Sequence, residues 1–129
     1  MAVYVISRIA GEGADRGMTK KVTENQVEYE LGDYELSDVE KENLKTVVNH
    51  YDKTVVVMNT GGPIDLSFMD TLPVSALVFM SQAGMEGGLA LADVLSGKVC
   101  PSGKLTDTWA VHYKDYPAAD TFSHMNGQL

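Results

Sequence analysis

The sequence predicts an α/β fold with a mostly parallel sheet and helices on its faces. Three short apolar runs rich in β-branched residues indicate buried strands, and two longer segments have the periodicity or propensity of helices. Their order along the chain is strand, helix, strand, strand, helix. That order, at these lengths, is typical of a parallel sheet whose connections carry helices.

The three predicted strands each run into a loop that contains glycine. The first, Ala2 to Ser7, is almost continuously apolar, which is typical of a strand covered on both faces. The second, Lys53 to Asn59, is β-branched and stops at the turn Thr60 to Pro63. The third, Val74 to Met80, precedes a turn at Gln82 to Gly84. The carboxyl ends of parallel strands share one edge of a sheet, so we expect these loops to lie together.

Two helices are delimited by their end signals. Ser37 stands three residues before Glu40, the spacing of a capping box, and predicts a helix that runs to about His50. The segment Met85 to Ser96 has helical propensity, and Gly97 is well placed as its left-handed stop. Both helices are expected to pack on the sheet.

The remaining segments give weaker signals. Ile9 to Leu36 has no clean periodicity and many acidic residues, so we expect a long loop with irregular structure. Asp65 to Asp70 is ambiguous and is assigned a helical turn. Leu105 to Val111 indicates a short strand around Trp109, and the chain beyond Tyr113 is expected to be irregular.

Composition excludes several classes of function. The chain has 129 residues, enough for one domain, and its net charge of −8 argues against partners that reward clustered cations, namely nucleic acid and an anionic membrane surface. The single cysteine, Cys100, rules out an internal disulfide, and the three histidines do not fall at metal-ligand spacings. We therefore expect neither a metal nor another cofactor.

Targeting signals are also missing from the sequence. It has neither the basic region nor the apolar region of a signal peptide, and no apolar run approaches the roughly 20 residues of a membrane span. We accordingly expect a cytoplasmic protein. Because Met1 is followed at once by what resembles a buried strand, we also expect the chain to be a segment of something longer.

The charged loop after the first strand is the candidate site. It reads Gly11-Glu12-Gly13-Ala14-Asp15-Arg16, and Arg8 precedes it. A dinucleotide-binding interpretation is disfavoured, because Arg16 stands where that fingerprint has its third glycine and two carboxylates would repel a pyrophosphate. A structural interpretation pairs Glu12 and Asp15 with the two arginines as a solvated ion-pair cluster.

A catalytic interpretation assigns Glu12 the roles of proton donor and base. Its flanking glycines allow the backbone to approach a ligand closely. Glycosidic chemistry, however, needs two carboxyl groups on opposite sides of the bond. The context of the other acidic residues marks none of them as the second carboxyl group.

Four sequence segments resemble motifs of one family. They are ISRIAGEGADR, VVVMNTGGPIDL, EGGLALADVLSGK and PSGKLTDTW, in this order and spacing. Together they resemble the C-terminal α/β sandwich domain of glycoside hydrolase family 3, to which many β-glucosidases belong. The resemblance covers nearly the whole chain and implies a three-layer sandwich with helices on both faces of the sheet, a flavodoxin-like or Rossmann-like arrangement.

The resemblance also implies roles for the loop residues. By its position in the GEGADR string, Glu12 matches the catalytic acid/base of family members that carry it there. Arg8, Asp15 and Arg16 would hold the loop or contact substrate. An N-terminal barrel domain, which has no counterpart in these residues, would carry the aspartate nucleophile.

On this basis we expect residues 1–129 to be a fragment of that C-terminal domain. Its substrate would be a carbohydrate, a β-glucoside or related oligosaccharide, and the isolated chain would be inactive. An incomplete sandwich would leave an exposed sheet edge and apolar patch, which favours self-association into a homo-oligomer or docking to the missing barrel domain. The alternative is a non-catalytic flavodoxin-like domain that binds a small ligand or a partner protein with the same loops.

Overall fold

The computed structural model describes residues 1–9, 19–23, 26–30 and 34–119. In chain order the elements are β1 (Ala2–Ser7), β2 (Thr19–Thr23), β3 (Gln26–Glu30), α1 (Asp38–His50), β4 (Thr54–Asn59), α2 (Phe68–Thr71), β5 (Ala76–Phe79), α3 (Gly87–Leu95) and a 3₁₀ helix at Tyr113–Asp115.

The main sheet is parallel, with strand order β1-β4-β5. Ser7 at the end of β1 is paired with Asn59 at the end of β4, and Met58 is paired with Phe79 at the end of β5. All three strands therefore finish at the same edge. The predicted α/β class with a parallel sheet is confirmed, and each of its three strands lies within the predicted range.

A hairpin occupies part of the segment for which only irregular structure was predicted. Strands β2 and β3 pair antiparallel, with Val22 opposite Val27 and Lys21 opposite Glu28. The prediction for Ile9 to Leu36 is therefore wrong over these strands. Both are five residues long and mix charged, polar and apolar types, so neither has the long apolar alternation that reveals a strand in sequence.

Helix α1 begins where the capping box predicts. The backbone N–H of Glu40 donates to Ser37 Oγ at 3.3 Å, and the N–H of Ser37 donates to Glu40 Oε2 at 2.9 Å. Leu44 and Val48, four residues apart, are buried on the same side of the helix. The helix ends at His50, as expected.

The hydrophobic core lies on one face of the sheet. It unites residues from β1, β4, α1, the segment just before α1 and the 64–68 segment: Ile6, Leu36, Leu44, Val48, Val56, Met58, Ile64 and Phe68. On the opposite face Val57 is fully buried, but Val3 and Val5 are 44% and 53% exposed. The prediction that the first strand is covered on both faces is therefore wrong for the described part of the chain, because the face of β1 that carries Val3 and Val5 is left largely open to solvent.

Glycines lie at both ends of α3, and packing or backbone conformation explains two of the three. A Cβ on Gly87 would lie 2.7 Å from the Cβ of Ala83, so the helix start packs too closely for a side chain. The same atom on Gly88 would meet nothing within 4 Å. Gly97 has φ +77°, which confirms the predicted left-handed stop. Close packing thus explains the first glycine of the pair and not the second.

The segment around Trp109 is not a strand, contrary to the prediction. Residues 101–112 form neither strand nor helix, and Trp109 instead packs against the hydrophobic core. Trp109 is therefore held by side-chain contacts and not by a backbone ladder. Among the helices of the described ranges, none has the length and hydropathy needed to cross a membrane.

Candidate functional site

The carboxyl ends of the three strands lie at one edge of the sheet, and the residues that follow them are in contact. The N–H of Arg8 donates to Asn59 O at 3.2 Å and extends the β1–β4 ladder by one bond, while the N–H of Met80 donates to Met58 O at 2.9 Å. A Cβ on Gly61 would lie 3.2 Å from the side-chain amide of Gln82, so the loops after β4 and β5 also touch. The expectation that these loops share one edge is confirmed for the loops after β4 and β5, while the loop that holds Glu12 lies outside the described residues.

Of the predicted site residues, only Arg8 lies in the described part of the chain. Glu12, Asp15 and Arg16 fall outside the described residues, so their assigned roles stay predictions. The site can therefore be built from the residues that flank the loop on both sides. These are Arg8 on the β1 side and the segment that begins at Tyr34 on the α1 side.

Arg8 has an almost buried guanidinium group that spans several acceptors. Its Nη1 donates to Ser7 O at 2.8 Å, and its Nη2 donates to Glu35 O at 3.2 Å. Both nitrogens also contact the carboxylate of Glu40, at 2.6 Å to Oε1 and 3.0 Å to Oε2. The side chain of Arg8 is 8% exposed and that of Glu40 is 26% exposed. This is the bidentate geometry in which arginine binds a carboxylate most strongly.

The Glu40 carboxylate binds groups at the end of β1 and at the start of α1. Besides Arg8 it accepts hydrogen bonds from the N–H and the hydroxyl of Ser37, both at 2.9 Å to Oε2. Burial alone would raise the pKa of Glu40, but the bonds from Arg8 and Ser37 outweigh it and lower that pKa below its ordinary value. The group is thus an anion that joins the start of α1 to the end of β1.

Tyr34 fixes the chain immediately before α1. Its carbonyl accepts the N–H of Asp65 at 2.9 Å, and its hydroxyl donates to Ala110 O. The hydroxyl oxygens of Tyr34 and Tyr116 are 3.4 Å apart, and the Tyr34 ring also contacts Tyr113. Burial, with the neighbouring Tyr116 hydroxyl, raises the pKa of Tyr34 far above its usual range. Tyr34 therefore stays a neutral anchor.

Asp65, whose N–H binds this anchor, is a buried residue, and its carboxylate oxygens are occupied within its own loop. Oδ1 accepts the N–H of Ser67 at 2.8 Å, and Oδ2 accepts the Ser67 hydroxyl at 2.7 Å. With 7% exposure it shapes the turn before α2. Within the described ranges, His, Cys, Asp and Glu side chains form no group of three or more suited to a metal ion.

Sequence reasoning missed the parts that Glu40 and Tyr34 play at this edge. Glu40 was recognised as the N3 residue of a capping box, and that signal was correct. Its contact with Arg8 joins residues 32 positions apart, which no local pattern can reveal. For Tyr34 the sequence offered an aromatic residue at the end of an acidic segment, without a periodic partner.

Comparison with known proteins assigns the family. The family model described as the glycosyl hydrolase family 3 C-terminal domain matches residues 1–128. Beta-glucosidase A of Butyrivibrio fibrisolvens is 39% identical over 94% of this chain, and the beta-glucosidase of Ruminococcus albus is 37% identical over 94%. The solved structure of a beta-glucosidase from Paenibacillus barengoltzii superposes with a TM-score of 0.75, at 40% identity over 95% of this chain.

The chain therefore belongs to glycosyl hydrolase family 3 and matches its C-terminal domain. It spans 16% and 12% of the two curated relatives and 12% of the solved chain. The family resemblance noted in the sequence is confirmed. The similarity to the solved structure also agrees with the α/β fold.

Proposed function

We propose that this chain is part of a retaining glycoside hydrolase of the β-glucosidase type, to which it supplies the general acid/base Glu12. The observation that carries the proposal is the family match over residues 1–128, together with relatives that are named beta-glucosidases. The GEGADR string begins four residues after the end of β1, which lies at the carboxyl edge of the parallel sheet. Ligands of open α/β sheets bind beyond that edge.

In this mechanism Glu12 works in two steps. It first protonates the glycosidic oxygen of a terminal β-linked sugar, so that the aglycone leaves as an alcohol while an aspartate forms a glycosyl intermediate. The resulting carboxylate then removes a proton from water, which attacks the anomeric carbon and releases the sugar. In retaining enzymes the two carboxyl groups are roughly 5–5.5 Å apart. The aspartate is proposed to come from a barrel domain of the same polypeptide.

Two features of the chain support a shared site. Glu40 is engaged by Arg8 and Ser37, and Asp65 by Ser67, so these two less exposed carboxylates have structural partners. The relatives are also much longer than this chain, which leaves ample sequence for a second domain. The isolated chain should then lack half of the mechanism and be inactive.

The test uses the full-length polypeptide that carries this chain. Glu12→Ala should slow the hydrolysis of glucosides with poor leaving groups far more than that of activated aryl glucosides, because only the former need protonation. Added azide should restore the second step by replacing the water that Glu12 would activate. Glu42→Ala, which removes an exposed carboxylate from α1, should leave both rates unchanged.

Two results would overturn the assignment. Equal losses for both substrate types with no azide rescue would place the acid/base elsewhere. Turnover of an aryl β-glucoside by the isolated chain, abolished by Glu12→Gln, would show a complete site within these residues and contradict the two-domain mechanism.

A further inference from the structure

The guanidinium group of Arg8 links the two ends of the connection between β1 and α1. Arg8 follows β1 directly, and Glu35 lies three residues before α1. The bond from Arg8 Nη2 to Glu35 O, at 3.2 Å, therefore links the two ends of a connection that contains hairpin β2–β3 and, in sequence, Glu12. This guanidinium is thus the point at which described residues from the two ends of the connection are joined.

Glu40 holds that guanidinium in place. Its two carboxylate oxygens face the two Nη atoms of Arg8 at 2.6 and 3.0 Å, so the pair fixes the plane of the group as well as its location. The carboxylate is itself fixed by Ser37, which donates from its N–H and its hydroxyl. Helix α1 packs on β1, with the Tyr4 hydroxyl donating to Glu40 O at 3.2 Å. The rigid start of the helix is thereby connected to the base of the loop.

We infer that Glu40 is a positioning residue for the loop that carries Glu12, and that it acts through Arg8. The inference rests on the proposed function, because it needs Glu12 to be the acid/base. A general acid must meet the leaving oxygen within hydrogen-bond reach, and a displacement of about 1 Å can reduce rate about 100-fold. A carboxylate that never touches substrate can therefore control the rate.

Two conservative variants separate this role from a general structural one. Glu40→Gln keeps a residue that is compatible with a capping box but removes the charge that holds Arg8. Arg8→Lys keeps the positive charge but loses the planar fork that reaches Glu35 O and both carboxylate oxygens. The matched control is Asp93→Asn, which breaks the exposed ion pair of Asp93 with Lys98, whose N–O distance is 2.9 Å.

The first measurement is hydrogen exchange in the full-length polypeptide, which needs no activity. Glu40→Gln and Arg8→Lys should each speed the exchange of amides in residues 9–33 by about tenfold or more, while amides in β4 and β5 keep their wild-type rates. Asp93→Asn should change neither set. Wild-type exchange of residues 9–33 in both variants would overturn the positioning role.

The second measurement is a kinetic cycle with Glu12. In the wild-type background Glu40→Gln should lower kcat for glucosides with poor leaving groups about 10-fold to 100-fold, with a smaller effect on activated aryl glucosides and on KM. In the Glu12→Ala background it should cause no further loss, because the group being positioned is absent. Asp93→Asn should match wild type in both backgrounds.

The two ways of failing are distinguishable. If Glu12→Ala does not change the dependence on leaving group, the proposed function fails and the positioning role falls with it. If Glu12→Ala behaves as proposed but Glu40→Gln causes the same loss in both backgrounds, only the positioning role is overturned.

Discussion

The indole of Trp109 meets the ring of Phe79 edge to face, with ring centroids 5.2 Å apart and an interplanar angle of 88°. Phe79 ends β5, and Trp109 lies in the irregular segment that follows α3. The contact thus attaches the later part of the chain to the carboxyl edge of the parallel sheet. Side-chain packing here takes the place of the strand that the sequence predicted.

Replacing Phe79 with leucine should weaken this attachment. Aromatic pairs contribute about 0.5–1.5 kcal/mol beyond the area they bury, so the free energy of unfolding should fall by about 1 kcal/mol. Trp109 is the single tryptophan, so its fluorescence in a urea titration reports both the contact and the unfolding. Val111→Ala, at a residue 59% exposed, serves as the control. Wild-type emission and stability for Phe79→Leu would contradict the prediction.

The adjacent glycines of α3 should respond in opposite ways to alanine. Gly87→Ala places a Cβ 2.7 Å from the Cβ of Ala83, so overpacking should destabilise the protein by about 1–3 kcal/mol. Gly88→Ala adds a methyl group into open space and should stabilise the helix by up to about 1 kcal/mol. Thermal unfolding of the two variants measures both effects. The same direction of change in both would argue against the close packing at Gly87.

Removal of the Tyr34 hydroxyl should release the anchor before α1. Tyr34→Phe keeps the ring contacts but loses the donor to Ala110 O, and the loss of one buried hydrogen bond costs about 1 kcal/mol. Tyr51→Phe is the control, because that ring is 50% exposed at the end of α1. Chemical denaturation of both variants is the measurement, and equal stability of the two would show that the Tyr34 hydroxyl contributes nothing.

The Arg8–Glu40 pair should make stability depend on pH in the acidic range. Burial opposes ionisation of Glu40, but the bonds from Arg8 and Ser37 lower its pKa below the ordinary 4.5. A carboxyl group with a lowered pKa in the folded state stabilises the fold above its unfolded pKa and loses that contribution as pH falls through the folded value. Wild type should therefore exceed Glu40→Gln in stability by a constant amount from about pH 7 to about pH 5.

Below that range the two proteins should converge. Protonation of Glu40 removes the charge that distinguishes it from glutamine, so the difference in melting temperature should shrink as pH falls through about 4 and below. Melting curves of both proteins across this range provide the measurement. A difference that persists unchanged at the acidic end would show that the Arg8–Glu40 contact is not electrostatic in origin.

Local signals in the sequence were sufficient for much of the fold. The Ser37–Glu40 spacing located the start of α1, and Gly97 located the end of α3, because caps are made by residues within a few positions of each other. The β-branched run of β4 was also recognised, since a strand buried in a parallel sheet must be apolar throughout. The family resemblance, read from four strings, was correct as well.

Where prediction failed, the determining interactions were not local. Strands β2 and β3 stabilise each other by pairing, so neither can be recognised from its own sequence pattern. Trp109 was assigned to a short strand from Leu105 to Val111, whereas its partner Phe79 is 30 positions away in sequence. The catalytic assignment of Glu12 came from the resemblance, and it stays a prediction because that residue lies outside the described part of the chain.

The sequence by itself determined the α/β class, the helix ends and the family, because these depend on local propensity, capping and recognisable strings of residues. Only the tertiary structure decided that Arg8 pairs with Glu40 and bonds to Glu35 O, which joins the two ends of the connection that contains Glu12. These contacts of Arg8 form because α1 lies beside β1 after a long connection. A charge pattern cannot specify such a contact, since an arginine side chain pairs with whichever carboxylate the packing of helices and strands brings within reach.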